Sequence, residues 1–278
     1  MNNAEDYYNV HSVGYVGKWD LSELGLKKSE NYYRLQIINS MIEMASIKAG
    51  DTVVEVGCGT GLVLRELLKI TQPVYGTDIS IEMLQRVKDS LLKDKRVSIV
   101  ENFTQVFNDS QSEILLMQND CLKLDLPKNH FDKIISMEVL RYIDDVPKVL
   151  TNMKNIMKTD SVFVFTVTNF WSFSFFPVKY YIRKLLNKVN SRNELLQYFV
   201  TESGIKKQIN EAGLKVESFK KLNLLSFNPL VKKVVKTGVQ AEKVMMLDRI
   251  LLKIPLVNNL FDTFIFRVKL DRQMHTVV

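Results

Sequence analysis

Val53 to Leu64 reads VVEVGCGTGLVL, and this stretch decides the fold. Three valines and one carboxylate, Glu55, run into glycines at alternate positions, Gly57, Gly59 and Gly61, and a helix-forming LVLRELL follows. The pattern predicts a buried parallel strand, a tight turn and a helix N-terminus. Such a turn brings bare backbone and free N–H groups to the carboxyl end of a strand, where an open α/β sheet takes its ligand. A nucleotide-like cofactor is expected there.

Dinucleotide enzymes use a similar turn, with an acidic residue about 20 positions later. Here the next strand, PVYGTD, ends at Asp78, whose two oxygens suit a ribose diol in either case. A dinucleotide fingerprint would want Gly or Ala at the position held by Leu62, whereas this turn reads G-C-G-T-G with Glu55 ahead of it. Together VVEVGCGTG, YGTDIS followed by IEML, QNDCLKLDLP and FDKIISMEVLRYIDD resemble, in order, the motifs of class I S-adenosylmethionine-dependent methyltransferases, in particular the small-molecule, type-11-like branch. The resemblance covers about Ala49 to Asn169 and fades on both sides.

That resemblance implies an α/β fold: a Rossmann-like, seven-stranded, mostly parallel sheet with an antiparallel last strand, helices on both faces, and a helical lid or cap. It implies S-adenosyl-L-methionine as cofactor and no metal. Glu55 would accept from the methionyl ammonium, while Gly57, Cys58, Gly59 and Gly61 offer backbone and Asp78 grips the ribose. Ile79 and Met83 would bracket the adenine. Asp120 would accept from the adenine amino group and the Cys121 N–H would donate to a ring nitrogen, beside Asn119; an acid in that turn equally suits a helix cap. Met137, Glu138, Val139 and Leu140 would line the methionine side, with Tyr142 toward substrate. The reaction implied is in-line methyl transfer to a nucleophilic oxygen, nitrogen or carbon, which needs alignment, exclusion of water and, for a hydroxyl, a proton acceptor. Few bases are on offer. His11 is the first candidate, with Tyr15 to orient an acceptor, ahead of His130 and His275.

A chain of 278 residues holds one α/β domain with an elaboration, or two small ones. Two cysteines, Cys58 and Cys121, make no disulfide framework, and the N-terminus lacks the basic and apolar regions of a signal peptide; a reducing cytoplasm is expected. Charge is uneven. Residues 1–150 carry 17 Lys and Arg against 22 Asp and Glu, and residues 151–278 carry 21 against 9. The basic half suits an acidic substrate, an anionic membrane or nucleic acid, or is simply a solvated lysine-rich face.

Around the motifs the chain divides into an N-terminal helical lid (1–48), a cofactor-binding core (49–169), an aromatic and basic cap (170–200) and a C-terminal part of the core (201–278) with a helical insertion at about 224–260. Tyr7, Tyr8, His11, Tyr15 and Trp19 mark the lid, without the periodicity of a clear helix. Ser29 to Ile47 reads as an amphipathic helix capped by Ser29. Val97 to Phe107 has apolar residues at helical spacing and reads as an additional helix, in a long connection at about 93–112. NFWSFSFFPVKYYIRKLLNKV alternates rings with Lys179, Arg183, Lys184 and Lys188, and Pro229 to Leu260 yields two basic amphipathic helices. Both stretches suit an interfacial helix on the inner face of a membrane, or a cap over substrate. The small-molecule reading therefore extends to a lipid-like or membrane-associated acceptor. MEVLRY in place of an Asn or Asp with two prolines and an aromatic argues against methylation of nucleic-acid bases. A nucleic-acid-binding methyltransferase and a non-catalytic cofactor-binding subunit are the alternatives.

Overall fold

The computed structural model describes residues 4–15, 25–91, 96–103, 112–186 and 195–271. Trp19, Phe107, Lys188, His275 and the side chain of Tyr15 lie outside them. Eight strands among the described residues form one sheet: β1 (Val53–Val56), β2 (Val74–Asp78), β3 (Val97–Val100), β4 (Ile114–Gln118), β5 (Phe131–Ser136), β6 (Met157–Thr168), β7 (Leu214–Leu222) and β8 (Thr263–Leu270). Their order is β3-β4-β2-β1-β5-β6-β8-β7. Pairing is parallel from β3 to β6; β8 runs antiparallel to both β6 and β7. The chain therefore reverses its direction of progress at β1, between β2 and β5, the switch point at which open α/β sheets bind ligands.

Helices α1 (Ala4–Tyr15), α2 (Ser29–Ala45), α3 (Leu62–Leu67), α4 (Ile81–Arg86), α5 (Val146–Ile156), α6 (Phe176–Leu185), α7 (Glu202–Glu211), α8 (Pro229–Val234) and α9 (Gly238–Leu251) surround the sheet. Alternation along the strands sorts the core. Val54, Val56 and Ile134 join the α5 and α7 side with Met153 and Ile205, and Val53 and Ile135 join the α2 and α3 side with Ile38, Met41 and Leu64. Glu55 shares the parity of Val53, which sends a carboxylate toward α3.

Two expectations from the sequence are not met. Val97 to Val100 is no helix but an added edge strand beside β4, which makes the sheet eight-stranded. Apolar positions 97, 99 and 100 fit both periods, and the open edge of β4 supplies backbone partners that a helix there would not use. Ser29 does not cap α2; Lys28 precedes the helix, and Ser29 donates its hydroxyl to the Val235 carbonyl at 3.0 Å and its N–H to the Lys236 carbonyl at 2.9 Å. The N-terminal segment is helical. Its α1 lies on α4, where Ser80 Oγ donates to Asn9 Oδ1 at 2.6 Å and Gln118 Nε2 donates to Glu5 Oε1 at 3.0 Å.

The cap and the C-terminal insertion grow from one end of the sheet. β6 leads into 169–186 and β7 into 223–262, and β8 begins where both end, since Thr168 and Leu222 each lie opposite Thr263. Two buried carboxylates tie these segments down. Asp262 accepts from Ser172 Oγ (2.6 Å) and Ser174 Oγ (3.0 Å). Asp248 on α9 accepts from the Leu224 and Leu225 N–H groups (3.2 and 3.0 Å) and from Ser226 Oγ (3.0 Å). Asp248→Ala should lower unfolding free energy by about 3 kcal/mol, because buried donors are left without an acceptor. Urea titration measures it, and a loss under about 1 kcal/mol would mean that water replaces the carboxylate.

Candidate cofactor and acceptor site

The glycine turn is positioned by the strand beside it. Gly57 and Cys58 both donate their N–H to the Thr77 carbonyl (2.7 and 2.8 Å), and Gly59 donates to Asp78 Oδ2 (2.8 Å). The other carboxylate oxygen of Asp78 accepts from the Ser80 N–H at 3.0 Å. Gly57 has φ +78°, and a Cβ there would stand 2.1 Å from Val139 Cγ2; only glycine fits. Gly59 has φ +50°, and a Cβ on it would meet nothing within 4 Å, so its bare face looks into open space. That space is a cavity of about 320 Å³ at the carboxyl ends of β1, β2, β4 and β5, within the size range of small-molecule sites.

The cavity brings together most of the residues expected from the motifs. Glu55, Gly57, Cys58, Gly59, Asp78, Ile79, Met83, Asn119, Asp120, Cys121, Met137 and Glu138 line it. Two do not. Gly61 sits behind the wall as the left-handed N-cap of α3, at φ +79°, and Leu140 is buried in the core. Asp120 does act as a cap, accepting from the Leu122 N–H at 2.8 Å while still facing the cavity. Asn119 spends its amide on the loop, accepting from the Asp125 N–H and donating to the Asp125 carbonyl.

The lining is acidic at its floor. Burial drives the Glu55 carboxyl well above the usual range, and the Asp78 charge adds to this, against one N–H bond from Leu64 in the first turn of α3. Its Oε2 is buried without a partner. Burial also raises Asp78, opposed by its backbone donors. Burial pushes the Cys121 thiol up to about 12 and the Cys58 thiol well above its normal range, so neither serves as a nucleophile near neutral pH.

The candidate bases fall elsewhere. His11 donates from Nδ1 to the Tyr7 carbonyl (2.8 Å) and stacks on the Tyr7 ring at 4.3 Å, outside the cavity wall. His130 precedes β5, at the opposite end of the strand from the cavity, about 20 Å away along an extended chain; burial and Lys158 lower its pKa. No histidine lines the cavity among the described residues.

Several lining residues carried no motif signal. Tyr8 comes from α1 and sets its ring edge-on to Tyr142 at 6.1 Å. Arg34 reaches in from α2 to Glu138 Oε2 at 3.1 Å. Glu138 itself holds a left-handed φ of +59°, fixed by its N–H bond to Thr166 Oγ1 at 2.7 Å; such strain in a non-glycine residue concentrates at functional sites. Arg141 completes the wall on the side of the cap.

With this geometry in view, comparison with known proteins is informative. A family model described as a methyltransferase domain matches residues 30–218, well over half of the chain. The chain belongs to that family. An uncharacterized protein of Methanocaldococcus jannaschii is 29% identical over 181 residues, covering 65% of this chain and 60% of its own length. A ubiquinone/menaquinone biosynthesis C-methyltransferase of Pseudomonas aeruginosa is 28% identical over 120 residues, 42% of this chain and 41% of that protein. The chain thus spans less than two thirds of these relatives. The magnesium protoporphyrin IX methyltransferase of Synechocystis, crystallised with bound SAH, superimposes with a TM-score of 0.57 at 14% identity, over 95% of this chain and 96% of its own; that likeness shows the fold. The class I S-adenosylmethionine-dependent methyltransferase resemblance read from the motifs is borne out, and with it the cofactor class.

The residues present fit that cofactor. A bare glycine face opens on the cavity, and Glu55 beside it has a buried carboxylate oxygen, Oε2, without a hydrogen-bond donor. Without one, the neutral acid is favoured in the folded state. A carboxyl raised in this way contributes stability below its unfolded value near 4.5, and the contribution is lost as pH rises through the folded value. Glu55→Gln should therefore raise the melting temperature of the ligand-free protein, by a margin over wild type that widens from pH 5 to pH 8 in scanning calorimetry. A margin that stays flat with pH would place an ionised, stabilised carboxylate at position 55.

Proposed function

We propose that the protein transfers a methyl group from S-adenosylmethionine to an oxygen, nitrogen or carbon nucleophile of a small molecule. The observation that carries this reading is the pairing of the Gly59 cradle with the buried, partnerless Glu55 oxygen in one cavity at the switch point. Asp78 and Asp120 would hold the ribose and adenine at one end, Glu55 and the 137–139 turn the methionyl group, and Ile79 and Met83 the faces of the base. When bound, the cofactor supplies an electrophilic methyl group on a sulfonium.

The remaining work falls to alignment and exclusion of water, since no histidine and no ionised thiol faces the cavity among the described residues. Tyr8 and Tyr142 would position the acceptor from the lid side and the turn side. The acceptor nucleophile is accordingly one that needs little deprotonation, such as an amine, an enol or an acidic phenol. Asp78→Ala removes two oxygens that serve both turn and ligand. SAH binding followed by titration calorimetry should weaken by about 10- to 100-fold, with the melting temperature as control for the turn. Unchanged affinity would take Asp78 out of the site.

The acceptor in this reading is lipid-like and reached at an anionic membrane surface. Trp171, Phe175, Leu185 and Leu186 on the cap and Leu230, Val234 and Leu256 on the insertion stand exposed, with Lys179, Lys184, Lys232 and Lys233 beside them. The cap is divided: Tyr180 and Pro177 face inward while these residues face out. Both segments grow from the end of the sheet that carries the cavity, and rings and aliphatics with flanking lysines suit the headgroup region. Among the described residues no helix is long and apolar enough to cross a bilayer. The protein should pellet with phosphatidylserine-containing vesicles at low salt and be released at 0.5–1 M salt, on the order of a Debye length of a few ångströms. Protein left in the supernatant at low salt would remove the membrane from the reading.

A further inference from the structure

Arg141 presents guanidinium donors that no residue of the cavity takes up. It sits in the 3₁₀ turn Leu140–Tyr142 and lines the cavity. A guanidinium has five N–H donors in a planar fork. Here one meets an acceptor: Nη2 donates to Gln197 Oε1 at 2.8 Å. Nε is buried with no acceptor at all. The cation lies instead among rings, with its central carbon 5.2 Å from the Tyr142 centroid and 6.0 Å from that of Phe176.

The nearby carboxylates are engaged elsewhere. Glu138 pairs with Arg34, and Asp262 is held by the hydroxyls of Ser172 and Ser174. Other cations with little exposure have ion-pair partners: Arg34 with Glu138, Lys133 with Asp51 at 3.9 Å, Lys221 with Glu202 at 2.7 Å, and Arg267 with Glu217. Among the described residues Arg141 forms no such pair. Glu138 and Asp262 lie near enough to help sustain the charge, but neither takes an N–H of the Arg141 guanidinium, and a wall that keeps a buried donor without an acceptor suits an anion that arrives from outside.

Position separates this anion from the methyl donor. The neighbours of Arg141 belong to the cap: Gln197, Phe176, and Tyr198, whose N–H donates to the Arg141 carbonyl at 2.7 Å. The expected donor contacts at Asp78 and Asp120 lie at the ends of β2 and β4, whereas Arg141 follows β5, three residues beyond Glu138. We infer that Arg141 seats an anionic group of the methyl acceptor, a carboxylate or phosphate gripped by the guanidinium fork, with the apolar body of the acceptor against Tyr8, Tyr142 and Phe176. Arg suits such an anion because its fork matches two oxygens at once. Arg141 is then a specificity-determining residue, and the acceptor class narrows to acidic molecules with a flat or apolar portion. This rests on the methyl-transfer reading of the cavity.

The test uses the full chain saturated with SAH and three probes of similar size: cinnamate, phenyl phosphate and the neutral cinnamamide. Binding is read by saturation-transfer NMR and calorimetry, for wild type, Arg141→Gln and Arg141→Lys, with melting temperature as the fold control. At least one acid should bind wild type about tenfold more tightly than cinnamamide; the tighter acid identifies the anion. R141Q should lose that preference and R141K keep part of it, while SAH affinity changes less than about twofold in both. Equal binding of acids and amide to wild type, or a preference that survives R141Q, overturns the inference. So does an R141Q variant whose main loss is SAH affinity, because Arg141 would then serve the donor. Failure of wild type to bind SAH would instead overturn the methyl-transfer reading beneath it.

Discussion

The bond on which the rest of the structure depends joins the Gly59 N–H to the Asp78 carboxylate, 2.8 Å across the gap between the first turn and the second strand. With the Gly57 and Cys58 N–H groups on the Thr77 carbonyl, it locks a turn that has no side chains of its own to pack. Asp78 is buried, which by itself favours the neutral acid, and three backbone donors oppose that cost. A residue expected to hold a ligand is thus also the post to which the turn is tied. The start of α3, the floor of the cavity and the direction in which Glu55 points all follow from it.

A second constraint is directional. In a parallel sheet every crossover returns to the same edge, so the carboxyl ends of β1, β2, β4 and β5 collect at one place. The cap and the insertion join the sheet at that edge as well. The cap after β6 and the insertion between β7 and β8 are fastened by buried carboxylates, Asp262 and Asp248, to hydroxyls and N–H groups a short distance along the chain or across the sheet end. The cap side of the cavity is therefore made from parts of the chain that are far apart in sequence: Tyr8, Arg34, Arg141 and Phe176 meet there or beside it. Its chemistry differs from that of the side formed by the glycine turn. Carboxylates whose protonation burial favours line the floor, and a guanidinium that stays charged stands by the cap, where burial works against the cation but Tyr142, Glu138, Asp262 and Tyr8 outweigh it.

How far the fold was legible depends on how local the cause was. The strand, turn and helix around Gly57 could be read because glycine φ values and a four-residue apolar run are set within ten residues. Thr201 and Ser80 start their helices by an equally local device, each accepting from an N–H three residues on. Val97 to Val100 was misread because its apolar positions satisfy two periods, and only the open edge of β4, more than ten residues away, selects the strand. Ser29 looks like a cap until Val235 and Lys236, 200 residues later, take its hydrogen bonds. Arg141 left one trace in the sequence, a cation inside the apolar run MEVLRYI directly after a strand. What made it informative was the absence of an acceptor for its buried Nε, which is a statement about space.

The amino-acid sequence alone determined the parallel core, the switch point and the residues that converge on the glycine-turn side of the cavity, because hydrophobic alternation and glycine punctuation act over a few residues. The tertiary structure decided the eighth strand, the placement of His11 and His130 away from the cavity, and the partners of Glu138 and Arg141. Those outcomes depend on which backbone edges and which charges meet across long separations, and no local pattern encodes a meeting of that kind.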